Sequence, residues 1–288
     1  MGKSELAVTI AERCGGEIVS ADAFQVYQGL DILTAKPSPD LQARVPHHLI
    51  GEIPLTQAFD VAQYLRLARE RIAAIRSRGR IPIIVGGTGL YLRALTHGLA
   101  ELPAADATLR AQFESQTSGE LSQQLAALDP AGHAGIDLQN RRRVIRALEV
   151  CLLSGRPFSS FRDEWKETAI AASGVVLNRA REELYDRIHR RTEAMFAAGV
   201  IEEVRHTGPI GPTALQTLGW RQIGALLAGT MTHQDCVLEI QQATRRYAKR
   251  QLTWFRREPH LEFIDLTGDD IPPALIEALA RRALATTG

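Results

Sequence analysis

Apolar residues at Leu6, Ala7, Ile10, Ala11 and Cys14 fall on one face of a helix, and Gly15-Gly16 end the run. The spacing predicts a helix over 4–14 with a glycine stop. "EIVSAD" (17–22) then reads as a short buried strand that ends in a carboxylate. Asp60 is placed to cap a helix running to about Arg78, with Val61, Tyr64, Leu65, Ala68, Ile72 and Ile75 as its apolar stripe and Gly79 as its stop. "RIPIIVGGTGLY" (80–91) follows as a continuous apolar strand, a glycine turn and a helix start. Helices alternating with fully apolar strands are the pattern of a parallel sheet covered on both faces, an α/β fold.

The middle of the chain reads differently. From Pro103 to about Trp165 only helical patterns occur, with Asp129-Pro130 and Gly132 as breaks and "RRRVIRALEVCLLSG" (141–155) as the clearest helix. This stretch reads as an inserted all-helical domain. "GVVLN" (174–178) returns to strand character, and helices are predicted over 181–198, from about Thr232 to Arg256, and over 272–285, with "LEFIDL" (261–266) as a last strand. The expected domains are 1–102 and 169–288, two parts of one sheet-containing core, and 103–168, the insertion.

Composition narrows the class. The 288 residues are 45% hydrophobic and 23% charged, as in a soluble globular protein. No apolar run approaches the roughly 18 residues of a membrane helix, so no membrane is expected and the reading is cytoplasmic. Cys14, Cys151 and Cys236 are far apart, without metal-ligand spacing, and read as core residues in a reducing compartment. The net charge is +1, so any affinity for nucleic acid has to come from local clusters.

Such clusters exist. Arg141, Arg142, Arg143 and Arg146 open the clearest helix of the insertion. Between Glu239 and Glu258 stand Arg245, Arg246, Lys249, Arg250, Arg256 and Arg257, with no acid and with Tyr247, Trp254 and Phe255 interleaved. A charge run is usually a solvated face. One without a compensating carboxylate, threaded with aromatics, fits an RNA groove better, because phosphates need cations and unstacked bases need π-faces. Asp22, at the end of a strand, lies where open parallel sheets bind ligands, although capping a turn is an equally ordinary use. Thr88 follows a second glycine turn at a helix N-terminus, where an anion can meet amides and a hydroxyl. Gly2-Lys3-Ser4 spell the end of a phosphate-binding loop, G-x-x-x-x-G-K-[ST]. Three residues alone are weak evidence, and the strand and first glycine of such a loop are not among them.

Taken together, "VSADAFQVYQGLDILTAKP", "VGGTGLYLRAL", "RRRVIRALEV", "LGWRQIGAL" and "YAKRQLTWFRRE" resemble, in order and over essentially the whole chain, the tRNA dimethylallyltransferase (tRNA isopentenyltransferase) family. The resemblance implies a P-loop NTPase-like parallel sheet flanked by helices, binding dimethylallyl diphosphate with Mg2+. It also implies transfer of the dimethylallyl group to the exocyclic amine of the adenosine 3′ of the anticodon, so that the partner is a tRNA anticodon stem-loop and the enzyme a monomer. Residue by residue, it makes Asp22 the acid that accepts a hydrogen from the adenine amine and Thr88 a residue of the reaction channel. Gly2, Lys3 and Ser4 bind diphosphate, with Ser4 facing the metal. Asp22, Ala23, Phe24, Gln25, Thr88, Arg110, Arg142, Arg143, Arg146, Gln216, Gly219, Trp220, Arg221, Lys249, Arg250, Gln251, Trp254 and Arg256 match tRNA-facing positions. Ala23-Phe24 stand where the family usually has Ser-Arg, and Leu33 stands where it has glycine, which is expected to tilt that turn.

The chemistry is consistent with those assignments. An adenine amine is a weak nucleophile, so the reaction needs a cationic cradle for the leaving diphosphate and a base for the proton. Lys3, magnesium and Arg221 are expected to supply the first, and Asp22 the second. Two other readings stand beside this one: a small-molecule P-loop kinase or transferase, and a tRNA-binding form with little catalysis. The second arises because the phosphate loop is cut short. The corresponding expectation is that the first central strand lies outside this chain, that Met1 is not the natural start, and that in-frame upstream codons spell an apolar strand and the missing half-loop.

Overall fold

The computed structural model describes residues 2–162, 174–258, 260–268 and 271–285. The chain forms two compact units, residues 1–95 with 171–288, and residues 96–170. The expected insertion was 103–168; its last residues, with Trp165, lie outside the described ones.

In chain order the first unit runs α1 (Lys3–Cys14), β1 (Gly16–Ala21), α2 (Pro39–Arg44), β2 (His47–His48), α3 (Val61–Ser77), β3 (Ile81–Gly86) and α4 (Gly89–His97). The second unit holds α5 (Ala107–Glu114), α6 (Ser118–Leu128), α7 (Pro130–Gly135), α8 (Arg141–Ser154) and a 3-10 turn over Phe158–Arg162. The first unit resumes with β4 (Gly174–Asn178), α9 (Arg181–Ala197), α10 (Val200–Arg205), α11 (Trp220–Leu227), α12 (His233–Phe255), β5 (Leu261–Asp265) and α13 (Pro273–Ala285). No helix among the described residues is long and apolar enough to cross a membrane.

Strand pairing is parallel throughout. One sheet has the order β2-β1-β3, with Gly16 opposite Ile81 and Ala21 opposite Gly86; the other pairs β4 with β5, Gly174 opposite Leu261. β1 is buried at every position. Its pairing with β3 starts at a glycine for a reason: a Cβ on Gly16 would stand 2.9 Å from the Ile81 carbonyl oxygen. The sequence suggests equal burial for β3, but only Ile81 is buried there. The edge of β3 away from β1 carries no strand among the described residues, nor does the edge of β4 away from β5. One apolar layer nevertheless spans both sheets, since Ile83 of β3 and Leu177 of β4 pack on Leu6, Ile10 and Cys14 of α1 and Ala280 of α13.

Local signals explain the rest. Asp60 closes a capping box with Gln63 at the start of α3, and Gly15 ends α1 at φ 66°. In the second unit Phe113, Leu121, Leu125, Val144, Ile145 and Leu148 form the core. Gly132, expected as a break, lies inside α7 instead. A Cβ there would stand 2.0 Å from the Asp129 carboxylate, which accepts the Gly132 amide at 2.8 Å and the Ser159 hydroxyl at 2.6 Å.

Candidate functional site

Asp22 follows the last residue of β1. Its Oδ1 accepts the amides of Phe24 at 2.9 Å and Gln25 at 3.2 Å. The turn-capping reading of Asp22 is seen directly, since one oxygen caps the turn and fixes the plane of the carboxylate, while Oδ2 accepts no hydrogen bond from the described residues. The glycine turn after β3 sits directly alongside. A Cβ on Gly86 would lie 2.2 Å from the Ala21 carbonyl oxygen, so only glycine permits this approach. Across the gap the Thr88 amide donates to Ala21 O at 3.1 Å, and the Ala23 amide donates to Thr88 Oγ1 at 3.0 Å. Thr88 and Asp22 are thus stitched to one another at adjacent strand ends.

Two cations face them. Lys3 opens α1, whose N-cap Gly2 is left-handed (φ 76°) and supplies no side-chain cap, so the first amides of the helix are open to an anion. A Cβ on Gly87 would stand 3.3 Å from Lys3 Nζ. Arg191 comes from α9. Solvent reaches both side chains, yet protein crowds their head groups closely enough for desolvation to lower both pKa values. Asp22 opposes that shift at each, and Arg191 depresses Lys3 further. The three groups lie close enough to feel one another's charge, two cations to one carboxylate, and solvent reaches both cations.

α12 closes this site from behind. Gln251 Nε2 donates to the Gly87 carbonyl at 2.8 Å, and a Cβ on Gly89 would strike the Trp254 ring at 2.3 Å. Tyr247, one turn earlier on the same helix, lies near Thr88 and Gln251. Burial raises its pKa, as does Asp22 nearby.

The segment after Asp22 is held by side chains rather than by a helix or strand. Gln25 Nε2 donates to the carbonyls of Thr34 and Ala35, and Lys36 Nζ to those of Tyr27 and Gly29 and to the Asp31 carboxylate. Glu203 of α10 receives the amides of Ile32 and Leu33, each at 2.8 Å. Leu33 does not need glycine's freedom, since the positive φ falls at Leu30 and Ala35. Its side chain is buried with Val200, Ile223 and Ile240 and lies against Gly219.

The remaining sequence candidates divide by surroundings. In α12, Lys249, Arg250 and Arg256 are exposed on the outer face. Gln251 and Trp254 turn inward to the glycine turn, and Phe255 is buried, so these aromatics stack on protein. Gln216 and Arg221 are exposed, whereas Gly219 is buried and Trp220 packs on the core around Leu33. In the second unit Arg142 and Arg143 are exposed. Arg141 holds the carbonyls of Phe113, Glu114 and Gln116. Arg110 and Arg146 both bond Glu149, whose carboxylate is fully buried and also accepts the Asp106 amide at 2.7 Å.

Sequence reasoning missed Arg191, Tyr247 and Glu203 as members of the site or its frame. Arg191 sits in "RIHRRTEAMF" with no motif around it, and only the packing of α9 brings it to Asp22. Ala23 and Phe24 are half-buried beside Asp22, and Ser4 is half-buried in the first turn of α1.

Parallel strands flanked by helices, with polar groups gathered at the strands' C-terminal ends, define a P-loop-like α/β protein. The family model for IPP transferase matches residues 25–258. The tRNA dimethylallyltransferase of Geobacter sulfurreducens is 44% identical over 274 residues, covering 92% of this chain and 88% of the relative. That of Akkermansia muciniphila is 42% identical over 278 residues, covering 96% and 94%. The crystal structure of the full-length tRNA isopentenylpyrophosphate transferase of Bacillus halodurans superposes with a TM-score of 0.71 at 34% identity, over 99% of this chain and 93% of that one. This chain belongs to the IPP transferase family and is a transferase.

Proposed function

We propose that this chain transfers a dimethylallyl group from dimethylallyl diphosphate to the exocyclic amine of the tRNA adenosine 3′ of the anticodon, releasing diphosphate. The observation that carries the reading is the grouping of Lys3, Arg191 and the uncapped start of α1 around Asp22, beside which Thr88 is held. In the reaction the allylic C–O bond breaks and its electron pair leaves with the diphosphate. The amine nitrogen forms the new bond to carbon and gives up a proton. Lys3, Arg191 and the first amides of α1 bind the leaving diphosphate, and their charge is worth most as that group departs. Asp22 receives the proton at Oδ2, because Oδ1 is already committed to two amides. Thr88 borders the channel in which amine and allyl carbon meet. Arg191, whose charge Asp22 senses, stands with Lys3 as the second cation of the cradle, and Arg221 is a further exposed cation for the diphosphate.

Magnesium prefers hard oxygen ligands and retains several waters. The Ser4 hydroxyl beside Lys3 is an oxygen donor of that kind, and the ion held there would neutralise part of the diphosphate charge. The tRNA anticodon stem-loop is held by exposed cations: Lys249, Arg250 and Arg256 on α12, and Arg142 and Arg143 on α8. Ala23, Phe24 and Gln25 border the base, which leaves its loop at a cost of at most a few kcal/mol. Arg110 and Arg146 bond Glu149 with part of each side chain still exposed, and they add to the basic surface of the second unit. Every group of the cleft comes from one chain, so a monomer suffices. The test supplies the protein with Mg2+, dimethylallyl diphosphate and either an anticodon stem-loop or free AMP. Prenylated RNA with unmodified AMP is the expected result; prenylated AMP with untouched RNA would favour a small-molecule transferase, and no product at all would contradict the reading.

A further inference from the structure

Between Asp22 and Lys36 the chain makes one helix-like turn whose two ends are satisfied from outside it. The Thr34 amide donates to Leu30 O and the Lys36 amide to Asp31 O, each at 3.0 Å. A helical turn leaves its first amides and its last carbonyls unpaired. Here the Ile32 amide donates to Glu203 Oε1 and the Leu33 amide to Glu203 Oε2, both at 2.8 Å. At the other end Gln25 Nε2 donates to the carbonyls of Thr34 at 3.2 Å and Ala35 at 2.9 Å. The backbone amide of the same Gln25 donates to Asp22 Oδ1 at 3.2 Å. A line of hydrogen bonds therefore runs from Glu203 through the turn to Gln25, and on to the Asp22 carboxylate.

Both carboxylate oxygens of Glu203 are engaged by this turn, and no cation pairs with them among the described residues. Its neighbour Glu202 is different: it is exposed and paired with Arg205 on the same helix. Leu33, buried with Val200, Val204, Ile223 and Ile240, brings the turn against α10. Apolar burial has no direction of its own, so the two amide bonds to Glu203 set how the turn lies there. We propose that Glu203 is a positioning residue of the transfer reaction: it caps the turn that holds Gln25, and through the Gln25 amide it fixes the plane of the Asp22 carboxylate. This role rests on the transferase reading above. Glu203 takes no proton and touches no substrate. It sets the geometry in which Asp22 acts, and small displacements of a catalytic group are costly.

Glu203→Gln keeps the shape of the side chain but sets an NH2 group against one of the two amides. The single-turnover rate of transfer to an anticodon stem-loop, measured well below the melting temperature, is expected to fall roughly five- to tenfold, the scale of one hydrogen bond. The KM for dimethylallyl diphosphate should stay as in wild type, because Lys3 and Arg191 are untouched. Glu202→Gln is the control and should keep the wild-type rate. A structural role alone would move the melting temperature and leave the rate of the chemical step. The double-mutant cycle is sharper: in a Gln25→Ala background Glu203→Gln should cost less than it does alone, since both act along one line. A Glu203→Gln rate within twofold of wild type, an unchanged rate with a raised KM for RNA, or an equal loss with and without the Gln25 side chain overturns the proposal while leaving the transferase reading intact. An inactive wild-type protein overturns both.

Discussion

Two clusters in this chain hold the same charges, two cations and one carboxylate, and are built in opposite ways. Around Glu149 the carboxylate is at the centre and fully buried, with Arg146 at 2.7 Å, Arg110 at 3.0 Å and the Asp106 amide at 2.7 Å. Its acceptor capacity is used by the protein. Around Asp22 one oxygen is used by the backbone, and Lys3 and Arg191 stand near it, reached by solvent, beside the uncapped start of a helix. The first arrangement is complete in itself and ties the start of α5 to α8. The second carries positive charge in excess of its carboxylate, which suits it to an anionic ligand. Charge alone does not separate the two clusters; how far the carboxylate is committed to protein partners does.

The contrast can be broken first at the carboxylates. Asp22→Ala should slow single-turnover transfer by about 10²–10⁴-fold, the usual worth of a general base, while RNA affinity changes little. A rate within threefold of wild type would remove Asp22 from the mechanism. Glu149→Ala should instead act on stability. It leaves two partly exposed arginines and the Asp106 amide without their partner, a change worth about 1–3 kcal/mol, and denaturant titration should register it as a loss of folding free energy.

A smaller effect separates bound cations from solvated ones. Replacing Lys249 and Arg250 with alanine should lower the slope of log affinity for tRNA against log salt by about one to two units, at roughly 0.7–0.9 per phosphate released. Replacing Arg110, whose charge is engaged by Glu149, should change the slope less. Equal slopes for the two proteins would mean that α12 presents only a solvated face.

The smallest effect is with pH. Burial alone would raise the Glu149 pKa, but Arg146, the Asp106 amide and Arg110 together hold it below the ordinary glutamate value of 4.5. A carboxylate depressed in the folded state contributes stability above its unfolded pKa and loses it as pH falls through the folded value. Melting temperature should therefore decline on acidification below 4.5, and a Glu149→Gln protein should show a flatter decline over the same window.

Much of this was legible in the residues. The helix caps at Asp60 and Gly15, the apolar strand before Asp22 and the glycine turn before Thr88 are local signals, and the structure returns each within a residue or so. The short elements α2, β2, α10 and α11 carry too few periodic positions to stand out. The site's second cation was hidden for a different reason. Arg191 is one of several arginines on an ordinary amphipathic helix, and nothing within its own segment separates it from Arg187, which pairs with Glu183. Likewise "RRRVIRALEV" spells a basic surface, yet Arg146 and Arg141 are spent on Glu149 and on three carbonyls. Partners distant in sequence decided these roles.

The most direct test sets one arginine of each cluster against the other. Dimethylallyl diphosphate is titrated calorimetrically, with Mg2+, into Arg191→Gln and Arg146→Gln proteins, and both are melted without ligand. Losing one charge-assisted contact, worth about 1.5–3 kcal/mol, should weaken binding to the Arg191→Gln protein by roughly 10–150-fold and leave its melting temperature near that of wild type. The Arg146→Gln protein should melt earlier and bind the diphosphate as wild type does. Undiminished diphosphate binding by Arg191→Gln, or lost binding by a still-folded Arg146→Gln, would contradict the assignment of the two clusters.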